Sequence, residues 1–321
     1  MRVSSGSRGL GHTAPLPRPR FVAKLAGVPN ANATQVAPAE DEAEVFAHGE
    51  ALRILQEGGF SPMVGGAYAL RVHTGLWRDT KDLDLFLRKD QIDEALASLS
   101  SAGYRCEFTD PLWIAKAYSG DYFIDLIFSS GNGIAGVDEH WARRAPRATV
   151  LQRETLIVPI EEIIWQKAFI QERERFDGGD IHHLLLFKGS EIDWRYLLDR
   201  FAPHWHVLFS HLIMFRFAFP GRRECIPAWV MSDLAARVAA EELERPAPGS
   251  RNLCRGGLVS RQQYLYELNE RGFRDARERE VPGWRGDSRW PITPVAPLRD
   301  AAAPDQDLRE EGEDDANRSR G

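Results

Sequence analysis

The sequence contains very little cysteine. Of its 321 residues only three are cysteines, Cys106, Cys225 and Cys254. Their odd number and wide spacing provide neither a disulfide framework nor a Cys-x-x-Cys pair at zinc-ligand intervals. A small disulfide-stapled scaffold is therefore excluded, and we expect reduced thiols in a cytoplasmic protein.

Long apolar runs and excess positive charge are also absent. No stretch approaches the roughly 18 consecutive apolar residues of a membrane-spanning helix, so we expect no membrane association. Residues 1–40 lack the apolar core of a secretory signal, although their Arg- and Ser-rich, almost acid-free composition leaves a transit peptide as an alternative. The formal net charge of −6 differs from the strongly basic footprint of a protein dedicated to nucleic acid.

Composition and periodicity divide the chain into five segments. Residues 1–40 and the acidic tail 279–321 are expected to be disordered. Residues 41–150 mix helical and strand patterns, whereas residues 151–245 have helical periodicity. Residues 246–278 are interpreted as a linker with one docking helix. The predicted fold class is α+β, with a small mixed sheet and flanking helices followed by a helical domain.

Two carboxylates share one face of a predicted strand. Asp82 and Asp84 alternate with leucines in the segment 82–87, which places both aspartates on the same side of the strand. Upstream, Gly65-Gly66 separates a short apolar strand from a predicted helix. Glycines at the start of a helix let backbone N–H groups approach a phosphate, to which the helix dipole adds attraction.

A third carboxylate, Asp125, interrupts an otherwise apolar strand predicted over residues 122–129. With Asp82 and Asp84 it would complete an all-oxygen cluster of the kind that binds Mg²⁺ or Mn²⁺. Two such ions about 3.5–4 Å apart stabilise the attacking and leaving oxygens of a phosphoryl transfer. The alternative for each carboxylate taken alone is a solvated or hydrogen-bonded residue at a sheet edge.

These motifs resemble a known superfamily. Residues 64–70, followed by Arg78-x-Thr80-x-Asp82-x-Asp84, are similar to the nucleotidyltransferase (polymerase-beta-like) fold. The resemblance is closest to its AbiEii-type toxin branch and to related uncharacterised bacterial nucleotidyltransferases, and it covers about residues 45–200. It implies transfer of NMP from an NTP to an acceptor hydroxyl on tRNA, a protein or a small molecule, with Mg²⁺ or Mn²⁺ as cofactor. It also implies an antitoxin partner for a toxin-like member.

Carried over by position, the resemblance assigns two kinds of role. The metal ligands and catalytic residues are Asp82, Asp84 and Asp125. Asp125 is also the candidate base. The phosphate turn and the nucleotide contacts are Gly65, Gly66, Arg78, Thr80 and Lys167. Many members have Gly-Ser where this chain has Gly-Gly, so a phosphate-binding hydroxyl is missing here.

Lys167 lies in an apolar helical segment, Ile-Ile-Trp-Gln-Lys-Ala-Phe, of a chain with only six lysines. As a compact charge it suits a triphosphate, and the alternative is a side chain that extends along the helix edge into solvent. The resemblance includes Lys167, Arg173, Asp177 and Asp180. By itself, however, the run Glu172–Arg175 is typical of a solvated, ion-paired helix face.

Two function classes follow from the sequence. The first is a metal-dependent nucleotidyltransferase, and the second is a catalytically silent module of the same fold that serves as a binding or partner protein. A broken carboxylate set would favour the silent module. Because Asp82, Asp84 and Asp125 form a complete set, the sequence favours the enzyme.

Overall fold

A computed structural model of the protein describes residues 42–78, 80–284 and 286. The first part of the chain alternates helices and strands. Its elements are α1 (Glu42–Glu57), β1 (Met63–Val64), α2 (Gly66–Thr74), β2 (Asp82–Phe86), α3 (Ile92–Ser101), β3 (Arg105–Asp110), β4 (Ile114–Ser119), β5 (Tyr122–Ile127), α4 (Glu139–Arg144), β6 (Arg147–Val150) and β7 (Arg153–Ile157).

The remaining elements are mostly helical. They are α5 (Ile160–Ala168), α6 (Gly178–Lys188), α7 (Trp194–Phe201), α8 (Trp205–Ala218), α9 (Ala228–Glu241), β8 (Leu253–Cys254), α10 (Leu265–Glu270), β9 (Arg274–Asp275) and α11 (Arg277–Glu280). Among the described residues, no helix combines the length and the apolar character needed to cross a lipid bilayer.

Seven strands form one mixed sheet in the order β3-β4-β5-β2-β1-β7-β6. Strand β2 runs parallel to β5, and β1 runs parallel to β7, while the other neighbouring strands are antiparallel. The register places Asp84 of β2 opposite Asp125 of β5, and Asp125 opposite Lys116 of β4. The centre of the sheet therefore carries a row of charged side chains across three adjacent strands.

The apolar face of the sheet is covered by α1 and α3, which pack against β5 and β4 and against each other. Leu83, Leu85 and Ile124 are fully buried, as the alternation of apolar and polar residues in β2 predicts. Because side chains alternate between the two faces of a strand, Asp82 and Asp84 lie on the opposite face. The predicted α+β class and the mixed sheet with flanking helices are confirmed.

Two features of the fold differ from the sequence prediction. The hairpin β6–β7 was not predicted, because its turn residues Leu151 and Gln152 have positive φ angles of 51° and 60° without the Asn or Gly that usually marks such a turn. Glycine pairs usually interrupt helices, yet Gly178-Gly179 forms the first turn of α6. There, a Cβ on Gly178 would overlap the ring of Phe176, so close packing explains the glycine.

The predicted domain boundaries stay predictions, and the structure adds two observations about them. The main sheet continues through β7 to Ile157, beyond the predicted boundary at residue 150. Within the predicted tail 279–321, α11 ends at Glu280 and Val281 is buried. The predicted N-terminal segment 1–40 and the residues from 287 onward lie outside the described residues.

Candidate active site

The three predicted carboxylates meet on one face of the sheet. One side-chain oxygen from each of Asp82, Asp84 and Asp125 lies within 4.8 Å of the others. Strand pairing explains this proximity, because Asp84 and Asp125 are direct register partners on parallel strands and Asp82 precedes Asp84 by one strand period. The alternation of residues in β2 and the register of β2 with β5 together bring the three acidic side chains into one cluster.

The Gly65-Gly66 turn lies directly beside this cluster. The backbone N–H of Gly65 donates to the carbonyl oxygen of Asp84 at 2.9 Å, which continues the pairing of β1 with β2. Helix α2 starts at Gly66, and its N-cap residue Gly65 has no side chain to accept hydrogen bonds from the first turn. Both glycines line the same cavity as the three aspartates, so this helix N-terminus faces the acidic cluster.

Burial first, and mutual repulsion second, determine the pKa values of the carboxyl groups in the cluster. Burial and the nearby charges of Asp82 and Asp125 raise the pKa of Asp84 to about 7. Burial also raises the pKa of Asp125, although its hydrogen bond to Lys116 opposes this shift. Three carboxylates this close favour either a proton or a cation between them. The donor set, made only of carboxylate oxygens, therefore fits a hard divalent cation such as Mg²⁺.

Lys116 is a site residue that the sequence analysis missed. Its Nζ lies 2.5 Å from Oδ1 of Asp125, and its ammonium group also lies 4.3 Å from the ring centroid of Phe123. Lysine scarcity was a usable signal for this position, but only the register of β4 with β5 shows that Lys116 faces the acidic cluster.

Lys167 belongs to a network of charged groups at the cavity wall. Its ammonium lies 2.7 Å from Oδ2 of Asp177 and 2.8 Å from Oδ2 of Asp180, and all three side chains are about 90% buried. Arg175 donates two hydrogen bonds of 2.9 Å to Asp177. Burial alone would raise the pKa of Asp177, but Arg175 and Lys167 lower this pKa to about 2. Lys167 is thus both a cavity residue and an ion-pair partner.

Two predicted nucleotide contacts act on neighbouring residues instead of lining the cavity. The Arg78 guanidinium donates two hydrogen bonds of 3.2 Å to the carboxylate of Asp180. The Thr80 hydroxyl donates to the carboxylate of Asp82. Neither residue is among those that line the cavity. Both therefore orient acidic side chains and do not face the space in which a substrate would lie.

Arg175, like Arg261, is among the residues that line the cavity. Arg173, which the resemblance selected, is exposed and is not among the cavity residues. Both belong to the run Glu172–Arg175, whose four consecutive charged residues do not indicate which arginine lies at the cavity. The isolated pairing of Gln171 with Phe176 turns this run back on itself and brings Arg175 next to Asp177.

The cavity has a volume of about 260 Å³. Its walls come from three parts of the chain: the sheet, the region around α5, and a late segment that includes Gly257–Arg261. Trp113 and the loop Ser130–Asn132 close the end near Arg261. Residues 246–278, predicted as a linker with a docking helix, carry no sequence pattern that indicates a cavity wall.

No family model and no curated protein sequence matches the chain. Solved structures with some similarity include the solution structure of the antibiotic-resistance factor ANT(2'')-Ia, at 18% identity over 63% of this chain and 97% of that chain, with a TM-score of 0.32. The lincomycin-bound lincosamide adenylyltransferase LnuA is 16% identical over 45% of this chain and 96% of that chain, with a TM-score of 0.32. JHP933 from Helicobacter pylori is 15% identical over 63% of this chain and 98% of that chain, with a TM-score of 0.33. At these scores the function has to be argued from the site itself.

Proposed function

We propose that the protein is a metal-dependent nucleotidyltransferase that transfers a nucleoside monophosphate from an NTP to an acceptor hydroxyl. The observation that carries this proposal is the cluster of Asp82, Asp84 and Asp125, whose oxygens lie within 4.8 Å of one another, beside a glycine turn at a helix N-terminus. Carboxylates bind the hard cations that accompany nucleotides, and the turn suits phosphate. Both features line one cavity.

Each part of the chain has a defined task in the proposed reaction. The acceptor oxygen attacks the α-phosphorus and forms a new P–O bond. The bond between the α-phosphorus and the α,β-bridging oxygen breaks, which releases pyrophosphate. A side-chain oxygen of Asp125 takes the proton of the acceptor hydroxyl, which suits a carboxyl whose pKa is raised by burial. The backbone N–H groups of the first turn of α2, starting at Gly66, hold the phosphates of the leaving group.

Asp82, Asp84 and Asp125 would hold the divalent cation. When bound, Mg²⁺ or Mn²⁺ supplies positive charge that stabilises the attacking and leaving oxygens. Thr80 fixes one carboxylate of this set through its hydrogen bond to Asp82. Arg78 orients Asp180, which in turn holds the Lys167 ammonium at the cavity wall.

The proposal extends to the class of acceptor and to the biological role of the protein. The resemblance to AbiEii-type proteins supports a toxin-like role with an antitoxin partner. A tRNA, a protein hydroxyl and a small molecule are the three acceptor classes that it implies. Labelled NTPs incubated with the protein and total RNA, lysate protein or metabolites would identify the class.

The function is tested by measuring pyrophosphate release and transfer of label from α-labelled NTPs, with and without Mg²⁺. Asp82→Asn should abolish Mg²⁺-dependent turnover while leaving the thermal unfolding temperature close to that of the wild type. Asp93→Asn, an exposed position on α3, is the matched control and should retain full activity. Equal turnover in the wild type and the Asp82 variant would refute the site assignment.

One observation favours the silent module as a second candidate. The Lys116 ammonium lies 2.5 Å from Asp125 and neutralises the third carboxylate of the set. A chain that kept this ion pair at all times would bind nucleotide weakly and transfer nothing. A wild-type chain that shows no thermal shift with any NTP and Mg²⁺ would favour this second candidate, because a ligand that binds the native state raises the melting temperature.

A further inference from the structure

Arg261 lies in the late segment of the chain that packs over the catalytic cavity. Two hydrogen bonds to its backbone carbonyl groups hold the segment there. The backbone N–H of Gln171 donates to the carbonyl of Val259 at 3.1 Å, and the side-chain Nδ2 of Asn132 donates to the carbonyl of Leu258 at 2.7 Å. Leu258 and Val259 line the cavity beside Arg261. The segment is therefore a wall of the cavity, although it lies outside the part of the chain that resembles nucleotidyltransferases.

Glu172 anchors this wall through groups other than the Arg261 side chain. Its two carboxylate oxygens accept the backbone N–H of Arg261 at 3.0 Å and the hydroxyl of Ser260 at 2.7 Å. The guanidinium group of Arg261 is thus not needed to hold the segment in place. A change in this side chain should leave the anchoring contacts intact.

The Arg261 guanidinium has no acidic partner among the described residues, whereas the other arginine and lysine side chains at the cavity are paired. Lys167 and Arg175 bind Asp177. Arg261 instead lies near the ring of Trp113, with Cζ 6.0 Å from the ring centroid. A side chain at position 131 would crowd the guanidinium, because a Cβ on Gly131 would lie 2.8 Å from Nη2 of Arg261. The glycine therefore leaves room for the Arg261 side chain.

A second donor beside Arg261 also lacks an acceptor. Nε1 of Trp113 is buried and has no hydrogen-bond partner within the part of the chain that the structure describes. A buried N–H without an acceptor is costly unless a ligand or water supplies one. The cavity end formed by Trp113, Gly131 and Arg261 thus contains a guanidinium, which is always charged, with no acidic partner among the described residues, next to a tryptophan whose buried N–H has no acceptor there.

We propose that Arg261, together with Trp113, binds an anionic oxygen group of a substrate at this end of the catalytic cavity. The group is a phosphate or a carboxylate, because a guanidinium fork pairs best with these oxygens. This inference rests on the proposed function and deepens it, since the anion can be a phosphate of the NTP or an anionic group carried by the acceptor.

The experiment compares the full-length wild type with Arg261→Gln by calorimetry in two arms. The first arm titrates α,β-methylene-ATP with Mg²⁺, and the second titrates inorganic phosphate into protein saturated with that analogue. A loss of affinity of about tenfold in the first arm assigns the anion to the nucleotide. The same loss in the second arm assigns it to the acceptor. Equal affinities for the two proteins in both arms overturn the proposal.

Three further variants make the result specific. Arg255→Gln removes an exposed arginine of the same segment that pairs with Glu280, and it should leave both affinities unchanged. Arg261→Lys keeps the charge and should restore part of the affinity that Arg261→Gln loses. Trp113→Phe keeps a ring and removes the Nε1 donor, and it should weaken binding in the same arm.

Failure of the proposed function is a separate result. It would appear in the wild type itself, as an absence of nucleotide binding and of Mg²⁺-dependent turnover. Failure of the inference would appear only in the comparison of Arg261→Gln with the wild type.

Discussion

Gly66 and Asp84 approach each other so closely that a Cβ on Gly66 would overlap the Asp84 carboxylate. Gly66 also has a φ of +54°, a conformation that residues with a side chain adopt at a cost. This relationship gives a physical reason for glycine at position 66. A serine side chain at position 66 would have to displace the Asp84 carboxylate.

The first prediction separates backbone strain from this overlap. Gly66→Ala should destabilise the protein more than Gly75→Ala does, because both residues have positive φ but only Gly66 faces a carboxylate. We expect Gly75→Ala to cost about 1–2 kcal/mol and Gly66→Ala clearly more, with loss of nucleotide binding. Urea unfolding and calorimetry measure the two effects. Equal stabilities would show that the carboxylate moves aside freely.

The second prediction concerns the ion pair between Lys116 and Asp125. Removing the ammonium with Lys116→Gln should lower the melting temperature in the absence of metal, because three close carboxylates lose their nearest cation. It should also increase the melting-temperature gain caused by Mg²⁺, because no ammonium competes for Asp125. Lys89→Gln, an exposed lysine, is the control. A smaller gain with Mg²⁺ in the Lys116 variant would contradict the interpretation of Lys116 as a competing cation.

The third prediction addresses the buried position of Lys167. Lys167→Met leaves Asp177 and Asp180 without their buried ammonium partner, and breaking such a pair typically costs about 3–5 kcal/mol. Lys188→Met removes a more exposed lysine paired with Glu191 and should cost less than about 1 kcal/mol. Chemical denaturation of both variants measures the difference. Equal small losses would favour a solvated Lys167 at the helix edge.

The fourth prediction is a pH dependence of stability from buried histidines. Burial lowers the pKa values of four histidines from 6.5, namely His48, His73, His182 and His211. Since these side chains protonate more readily in the unfolded chain, their contribution to stability is complete above pH 6.5 and is lost as the pH falls towards their lower folded pKa values. The contribution of these four histidines to the free energy of unfolding should therefore decrease from pH 7 to pH 5, whereas Asp84, whose pKa is raised to about 7, contributes the opposite trend.

His73 provides the variant for this test. Its Nε2 lies 2.8 Å from the carbonyl oxygen of Val158, so His73→Gln can keep a hydrogen bond while removing a titrating group. Its stability should fall less steeply with decreasing pH than that of the wild type. The exposed His140, changed to Gln, should reproduce the wild-type slope. Parallel slopes for His73→Gln and the wild type would show that His73 does not contribute.

Local pattern alone was enough to place two of the three carboxylates. The alternation in β2 put Asp82 and Asp84 on one face, and the Gly-Gly pair marked the start of α2 at Gly66. These features depend on residues that are neighbours in the chain, and their geometry follows from the strand and helix periods. The glycine turn and the two aspartates could therefore be predicted without tertiary information.

The partners of those residues were decided by the tertiary structure. Sheet register, which no local pattern determines, brings Asp125 opposite Asp84 and Lys116 opposite Asp125. The turn after α5 places Arg175 beside Asp177 and at the cavity, whereas Arg173 is not among the cavity residues. Strand pairing and chain reversal depend on contacts far apart in sequence, so the single sequence contained no signal for them.

The sequence by itself therefore determined that this chain carries an acidic pair beside a glycine turn, because both depend on short-range periodicity and backbone conformation. Only the tertiary structure decided which cations balance the carboxylates and that Arg261 is a wall residue of the same cavity. The physical reason is that charge compensation and cavity closure arise between segments that pack together across long sequence distances, such as Glu172 with Ser260 and Arg261.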